Sequence, residues 1–214
     1  MTNLEFDTQF DIFYNNIASN AAPSVDIYEK SVFLTQAQRD IILGLYNGRE
    51  IPGVSFESTE EARRYLSNLV KVKTTTAINK SGLLELPEEL WFIILEEVKF
   101  HSDDECINNK SAEVIPVRQD ALLSTLKNPF KGPSEKRVLR VDVGGKIAIH
   151  SIYPIKEYTI TYIVSPNPII LTDLESGLTI EGQNKESSSN VNPILHRAIL
   201  ERAVALAKNA YIGA

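Results

Sequence analysis

The densest run of reactive side chains in the 214-residue chain is "HSDDEC", His101 to Cys106. Imidazole and carboxylates are metal ligands, and a thiol beside an imidazole is a nucleophile with its base. A hydrolase would draw on His101, Asp103 or Cys106. The run is contiguous, however, and follows a predicted strand. Consecutive residues of one loop do not converge on one ion or one reacting atom without distant residues to complete the set. The chain's other histidines are His150, in a predicted hairpin, and His196, on the last helix. The cluster therefore reads as a solvated loop, and no catalytic residue, metal site or cofactor is assigned. "DVGGKI" lacks the G-x-x-x-x-G-K-[ST] spacing of a phosphate loop and joins two strands, so it reads as a turn. The basic stretch "KGPSEKR" could touch a phosphate or an acidic partner, and reads first as a solvated loop. G-x-S-x-G and H-E-x-x-H are both absent.

The wider composition narrows the class. Hydrophobic residues make up 43% and charged residues 23%, enough to build a real core. The formal net charge of −6 disfavours nonspecific adhesion to DNA, yet it suits a surface past which DNA slides. Cys106 is the single cysteine, so neither an intramolecular disulfide nor a cysteine-based zinc cluster can form, which suits a reducing compartment. "MTNLEFDTQF" carries no basic and apolar signal sequence. Apolar runs such as "LWFIIL" are too short to cross a bilayer, so no membrane partner is expected.

The elements that must position any site follow from periodicity. Leu4 to Ala18 reads as a helix with Phe6, Phe10, Phe13 and Ile17 on one stripe. "NAAPS" breaks it. A second helix is expected from Thr35 as N-cap to Gly48, with Ala37, Ile41, Ile42 and Leu45 inward, and "IYEKSVFL" just upstream reads as a short helix or an extended piece. After the loop "REIPGVSF", Ser58 with Glu61 forms a capping-box pattern for a third helix burying Ala62, Tyr65, Leu66 and Leu69. The period then shifts to two. "VKVKTTTAI", "LWFIILEEVKF" and "AEVIPVRQD" read as extended, Asp120 as the cap of a short helix "ALLSTLKN", and "RVLRVDVGGKIAIHSIY" as a hairpin. "EYTITYIVSP" is a strand with Tyr158, Ile160 and Tyr162 on one face, and "GLTIEG" reads as a last strand. Asn192 and Pro193 start a closing helix. The order contains no βαβ repeat. The expected fold is α+β: a helical core from residues 1–70 and 192–214, interrupted by an antiparallel β-rich insertion, 71–191, with one short helix.

The closing helix carries more apolar surface than a stripe of ~100° requires. Ile199 and Leu206 are expected in the core. Its alanine-rich flank, Ala203, Ala207 and Ala210, together with Tyr211, is expected to face a neighbouring subunit or a different partner protein. Three readings remain from the residues: a structural connector, a small hydrolase, and a monomeric accessory or binding module.

Four phrases carry a resemblance: "YEKSVFLTQAQRDII", "NPFKGPSEKRVLRVDV", "EYTITYIVSPNPIIL" and "NPILHRAILERAVALAKNAYIG". Through them most of the chain resembles the ring-forming virion proteins of the head-to-tail region of crAss-like bacteriophages, short-tailed phages of gut Bacteroidales. The resemblance implies a portal-proximal ring of roughly twelve copies, since rings close by repeated head-to-tail contacts. It implies as partners further copies of the chain, the portal protein, neighbouring tail rings and genomic DNA, which passes along the channel without sequence-specific binding. It implies a place in the tail or connector of a virion assembled in the host cytoplasm, and it carries over no catalytic residues.

Overall fold

The computed structural model describes residues 1–15, 24–48, 60–78 and 81–211. Ile17, Ala18, most of the "NAAPS" breaker, the "REIPGVSF" loop and the Ser58 cap lie outside the described residues. Among those described are five α-helices and a seven-stranded mixed sheet, an α+β fold. The chain divides into two compact units, 1–69 with 166–214, and 70–165.

The first unit is helical. α1 (Asn3–Asn15) buries Phe6, Phe10 and Tyr14, spaced four apart. Tyr14 takes the place expected of Phe13, which is half-buried. α2 (Ile27–Asn47) starts eight residues before the expected Thr35. Asp26 caps it: its carboxylate accepts the Glu29 N–H at 2.7 Å, and Glu29 accepts the Asp26 N–H at 3.0 Å. Two otherwise orphaned donors are thereby satisfied, which fixes the start. Gly48, at φ 68°, ends the helix in the left-handed region. α3 (Glu60–Leu66) continues into a 3-10 turn over Ser67–Leu69, burying Ala62, Leu66 and Leu69. α5 (His196–Tyr211) packs on α1 and α2. A 3-10 turn at Pro193–Leu195 precedes it, with the Asn192 side chain accepting the Ile194 N–H at 3.1 Å.

Thr35 has a different task. Ser31, Thr35 and Gln38 form a buried polar stripe along α2. Ser31 Oγ accepts the Leu171 N–H at 3.1 Å, Thr35 Oγ1 accepts the Ile169 N–H at 3.0 Å, and Gln38 Nε2 donates to the Asn167 carbonyl at 2.7 Å. Successive helical turns thus hold alternate residues of an extended segment. The two repeats match: one turn rises ~5.4 Å, and two extended residues span ~6.6 Å. For this reason residues 166–191 belong with the helices. The sequence had placed them in the β insertion. "GLTIEG" there forms an isolated bridge between Ile180 and Gln183 instead of a strand.

The second unit is the sheet, with order β1-β7-β3-β4-β5-β6-β2. Its strands are β1 (Val70–Ile78), β2 (Ser81–Glu85), β3 (Leu90–Phe100), β4 (Ser111–Pro116), β5 (Arg137–Val143), β6 (Lys146–His150) and β7 (Ile155–Val164). All pairs are antiparallel except β4 with β5. Gly144 and Gly145, both at positive φ, turn β5 into β6. α4 (Leu122–Lys127) lies between β4 and β5. Ala121 is its N-cap. Asp120 sits in the preceding 3-10 turn and pairs with Arg118 at 2.6 Å, so it does not cap the helix.

β1 and β2 are the outermost strands, yet Ile78 and Ser81 are only three peptide links apart. Three links span at most ~11 Å, whereas a flat seven-stranded sheet would part its edges by ~29 Å. The sheet must therefore roll until its edges approach. Consistently, the Glu85 carboxyl of β2 is held below its usual range first by its hydrogen bond from Lys146, and additionally by the field of Lys73 on β1. Rolling lets the sheet bury one face on itself. Register places Tyr158, Ile160, Glu96, Val98, Ala112, Val114, Val138, Arg140 and Ile149 on that face, and all are buried. The polar members pair with one another. Tyr158 donates to Glu96 Oε1 at 2.6 Å, Arg140 Nε lies 2.5 Å from Glu96 Oε2, and Arg140 also pairs with Asp142. These links tie β3, β5 and β7 together.

Candidate assembly surfaces

The reactive cluster forms a self-contained turn after β3. The His101 N–H donates to the Pro154 carbonyl at 2.8 Å. Asp104 accepts the Cys106 N–H at 2.9 Å, and Ser102 Oγ accepts the Asp104 N–H at 3.1 Å. Short polar side chains here satisfy their own backbone, as they do in Asx turns. His101, Asp103 and Cys106 are exposed, and His150 and His196 lie on other elements. Among the described residues no group of three His, Cys, Asp or Glu is placed to hold a metal ion.

α5 buries His196, Ile199, Leu200, Ala203, Val204 and Ala207. This is one stripe at helical spacing, narrower than its composition implied. Two expectations change. Ala203 and Ala207 are fully buried within their own unit, where the absence of a long side chain allows α1 and α2 to approach closely; they are core and not open to a neighbour. Leu206 is half-buried, so Ile199, Leu200 and Val204 do the anchoring expected of it. Ala210 and Tyr211 are exposed, together with Ala198 and Ala205. Tyr211 is not loose: its hydroxyl donates to Glu29 and its ring meets Phe33 edge-on at 6.2 Å. The hydrogen bond to that carboxylate, with burial secondary, pushes the phenol up to about 12. The helix start holds the one buried imidazole. His196 Nδ1 lies 2.5 Å from the Met1 amino group, and its ring contacts Phe6 at 5.3 Å.

Among the described residues, clefts open on the helical unit. One, of about 550 Å³, lies between α2 and α5 and is lined by Asp40, Ile41, Gly44, Ala198, Glu201 and Arg202. Arg202 and Asp40 form an ion pair at 3.0 Å within it. Another, of about 490 Å³, lies between the start of α2 and residues 172–178. On the sheet unit, β1 exposes Lys71, Val72, Lys73, Thr74 and Thr76, and the tip after α4 exposes Phe130. The sequence reading noted the basic character of that tip in "KGPSEKR" and missed the phenylalanine immediately before it.

The comparisons agree with these observations. The family described as "Phage tail ring protein 3/4" matches residues 1–213. "Ring protein 3" of Bacteroides phage crAss001 is 46% identical, over 97% of this chain and 95% of that protein. "Ring protein 4/5" of the same phage is 32% identical, over 98% of this chain and 93% of that protein. With the family model and both relatives matched along nearly the whole chain, the chain belongs to the phage tail ring protein 3/4 family, the ring-forming tail proteins of crAss-like phages.

Proposed function

We propose that copies of this chain close into a portal-proximal ring of roughly twelve subunits, by head-to-tail contacts. The ring extends the DNA channel of a short-tailed phage between the portal and the neighbouring tail rings. The chain acts there as a wall and a spacer, without catalysis, cofactor or metal, and it enters the virion during assembly in the host cytoplasm. The observation that carries this reading is the end-to-end likeness to "Ring protein 3" at 46% identity. Two features of the chain support it. Each unit presents its own exposed surface, as a heterologous contact requires. The net charge of −6 suits a passage along which DNA moves without sticking. Reconstruction of the virion tests the proposal. Density for this chain, repeated around the tail axis beside the portal, is the expected result. A single copy, or a place away from that axis, overturns it.

A further inference from the structure

We infer that Phe130 is the knob by which one copy of this chain grips the next, and that its seat is the acid-rimmed cleft between the start of α2 and residues 172–178. The inference rests on the self-assembled ring proposed above and names its contact.

Phe130 is 86% exposed, and Leu123 of α4 in the same unit is 71% exposed. A large aromatic held in water gains nothing for the folded monomer, whereas aromatics buried at a contact dominate binding. The tip that carries it is built with care. The Asn128 side chain accepts the Phe130 N–H at 2.9 Å, and the Asn128 carbonyl accepts the Gly132 N–H at 2.7 Å. Arg137 donates from Nη2 to the Phe130 carbonyl at 2.5 Å and from Nε to the Gly132 carbonyl at 3.2 Å. The turn is so tight that a Cβ at Gly132 would stand 2.9 Å from the Asn128 carbonyl oxygen. The backbone that presents Phe130 is thus fixed, so docking orders little beyond its own side-chain torsions.

Charge selects the partner. Lys127 and Lys131 flank Phe130, both exposed and neither in an ion pair among the described residues. The seat has the opposite character. Asp26, Asp173 and Glu175 line it, no cation does, and Val25, Ile27, Leu174 and Leu178 supply apolar walls. Ile27 and Leu178 are themselves partly exposed there. Its volume of about 490 Å³ falls in the ~300–1,000 Å³ range of clefts that enclose a ligand. It is also preorganised: the Asp26 cap fixes one wall, and Leu174 N–H bonded to Asn184 at 2.8 Å fixes the other. The α2–α5 cleft is less complementary, because Arg202 already answers its Asp40. Knob and seat lie on different units of one chain, and such non-identical faces make a heterologous contact that repeats.

The test uses particles assembled with full-length chain carrying benzoylphenylalanine at position 130. Irradiation is expected to give a covalent dimer of this chain, linked within residues 24–28 or 172–178. A link to a different polypeptide, a link elsewhere on this chain, or an intact ring with no link overturns the inference. In mixed assembly with wild type, Phe130→Ala is expected in particles at one-tenth of its input share or less, while melting at the wild-type temperature. As the sole copy, Lys131→Glu is expected to empty the ring position, and Glu175→Lys in the same chain to refill it. A ring that tolerates Phe130→Ala removes the knob and leaves the ring standing; particles that hold no ring of this chain at all remove both.

Discussion

At the scale of single residues, the buried His196 is shaped by its surroundings. Burial, and after it the positive Met1 amino group, hold its imidazole below the ordinary value, while a backbone hydrogen bond at Val191 and, less, Glu5 pull the other way. The unfolded chain titrates near pH 6.5, so below that pH it binds more protons than the folded chain. The stability that depends on a neutral His196 is therefore complete above about pH 6.5 and is lost as the pH falls towards the lowered folded value. Thermal melts should show a steeper fall from pH 7 to pH 5 for wild type than for His196→Gln, which keeps an acceptor but cannot charge. Equal slopes would contradict this. Cys106 and His101 lie in a loop held by its own backbone hydrogen bonds. Cys106→Ser with His101→Ala should fold and assemble normally, whereas stoichiometric zinc that disappears in the double variant would reverse that conclusion. Local signals of this kind were legible. Asn192 before Pro193, and Gly144 with Gly145, each announce one geometry. Asp26 with Glu29 spells a capping box as plainly, whereas the buried role of Thr35 is not local, because its hydrogen bond with Ile169 depends on a segment more than a hundred residues away.

At the scale of an element, α5 separates fold from assembly. Ile199 is fully buried, and Ile199→Ala should cost about 2–5 kcal/mol, a large part of a stability of roughly 5–15 kcal/mol. A lower melting temperature of the isolated chain reads this out. Ala210 is exposed beside Tyr211 on the flank expected to meet a neighbour. Ala210→Glu should melt like wild type and yet fail to enter particles, because an unpaired charge buried at a subunit contact is costly. Unfolding of the monomer, or normal incorporation, would each refute that role. The sequence showed a helix with too many apolar residues. It did not show the helix's rotation, which is set by where α1 and α2 lie. Ala203 and Ala207 turned inward for that reason, and only part of the expected interface remained outside. The strand alternation of β7 was legible since period two is intrinsic to the strand. β2 was not, as five residues with a glycine, "SGLLE", carry too little pattern.

At the scale of the whole molecule, charge gives the plainest expectation. With a net charge of −6, the isolated protein should not retard duplex DNA in a gel at physiological salt. A shift at low micromolar protein with a steep salt dependence would count against a passive channel wall. The division into helices and an interrupting sheet was readable from the change of period near Val70. The rolled sheet was not, for strand order is a non-local property, and nothing in "TAINKSG" says that β1 and β2 end up as opposite edges. The first and last strands of that sheet lie side by side, Val70 opposite Ile163. The sheet unit therefore begins and ends at neighbouring points of its own fold, as a cassette does. A gap that short needs only a brief linker, and loop closure of that length is inexpensive. A chain in which residues 70–165 are excised and Leu69 is joined to Pro166 by a few glycines should keep its helices. The same geometry lets members of the family exchange one sheet module for another while retaining the helical scaffold.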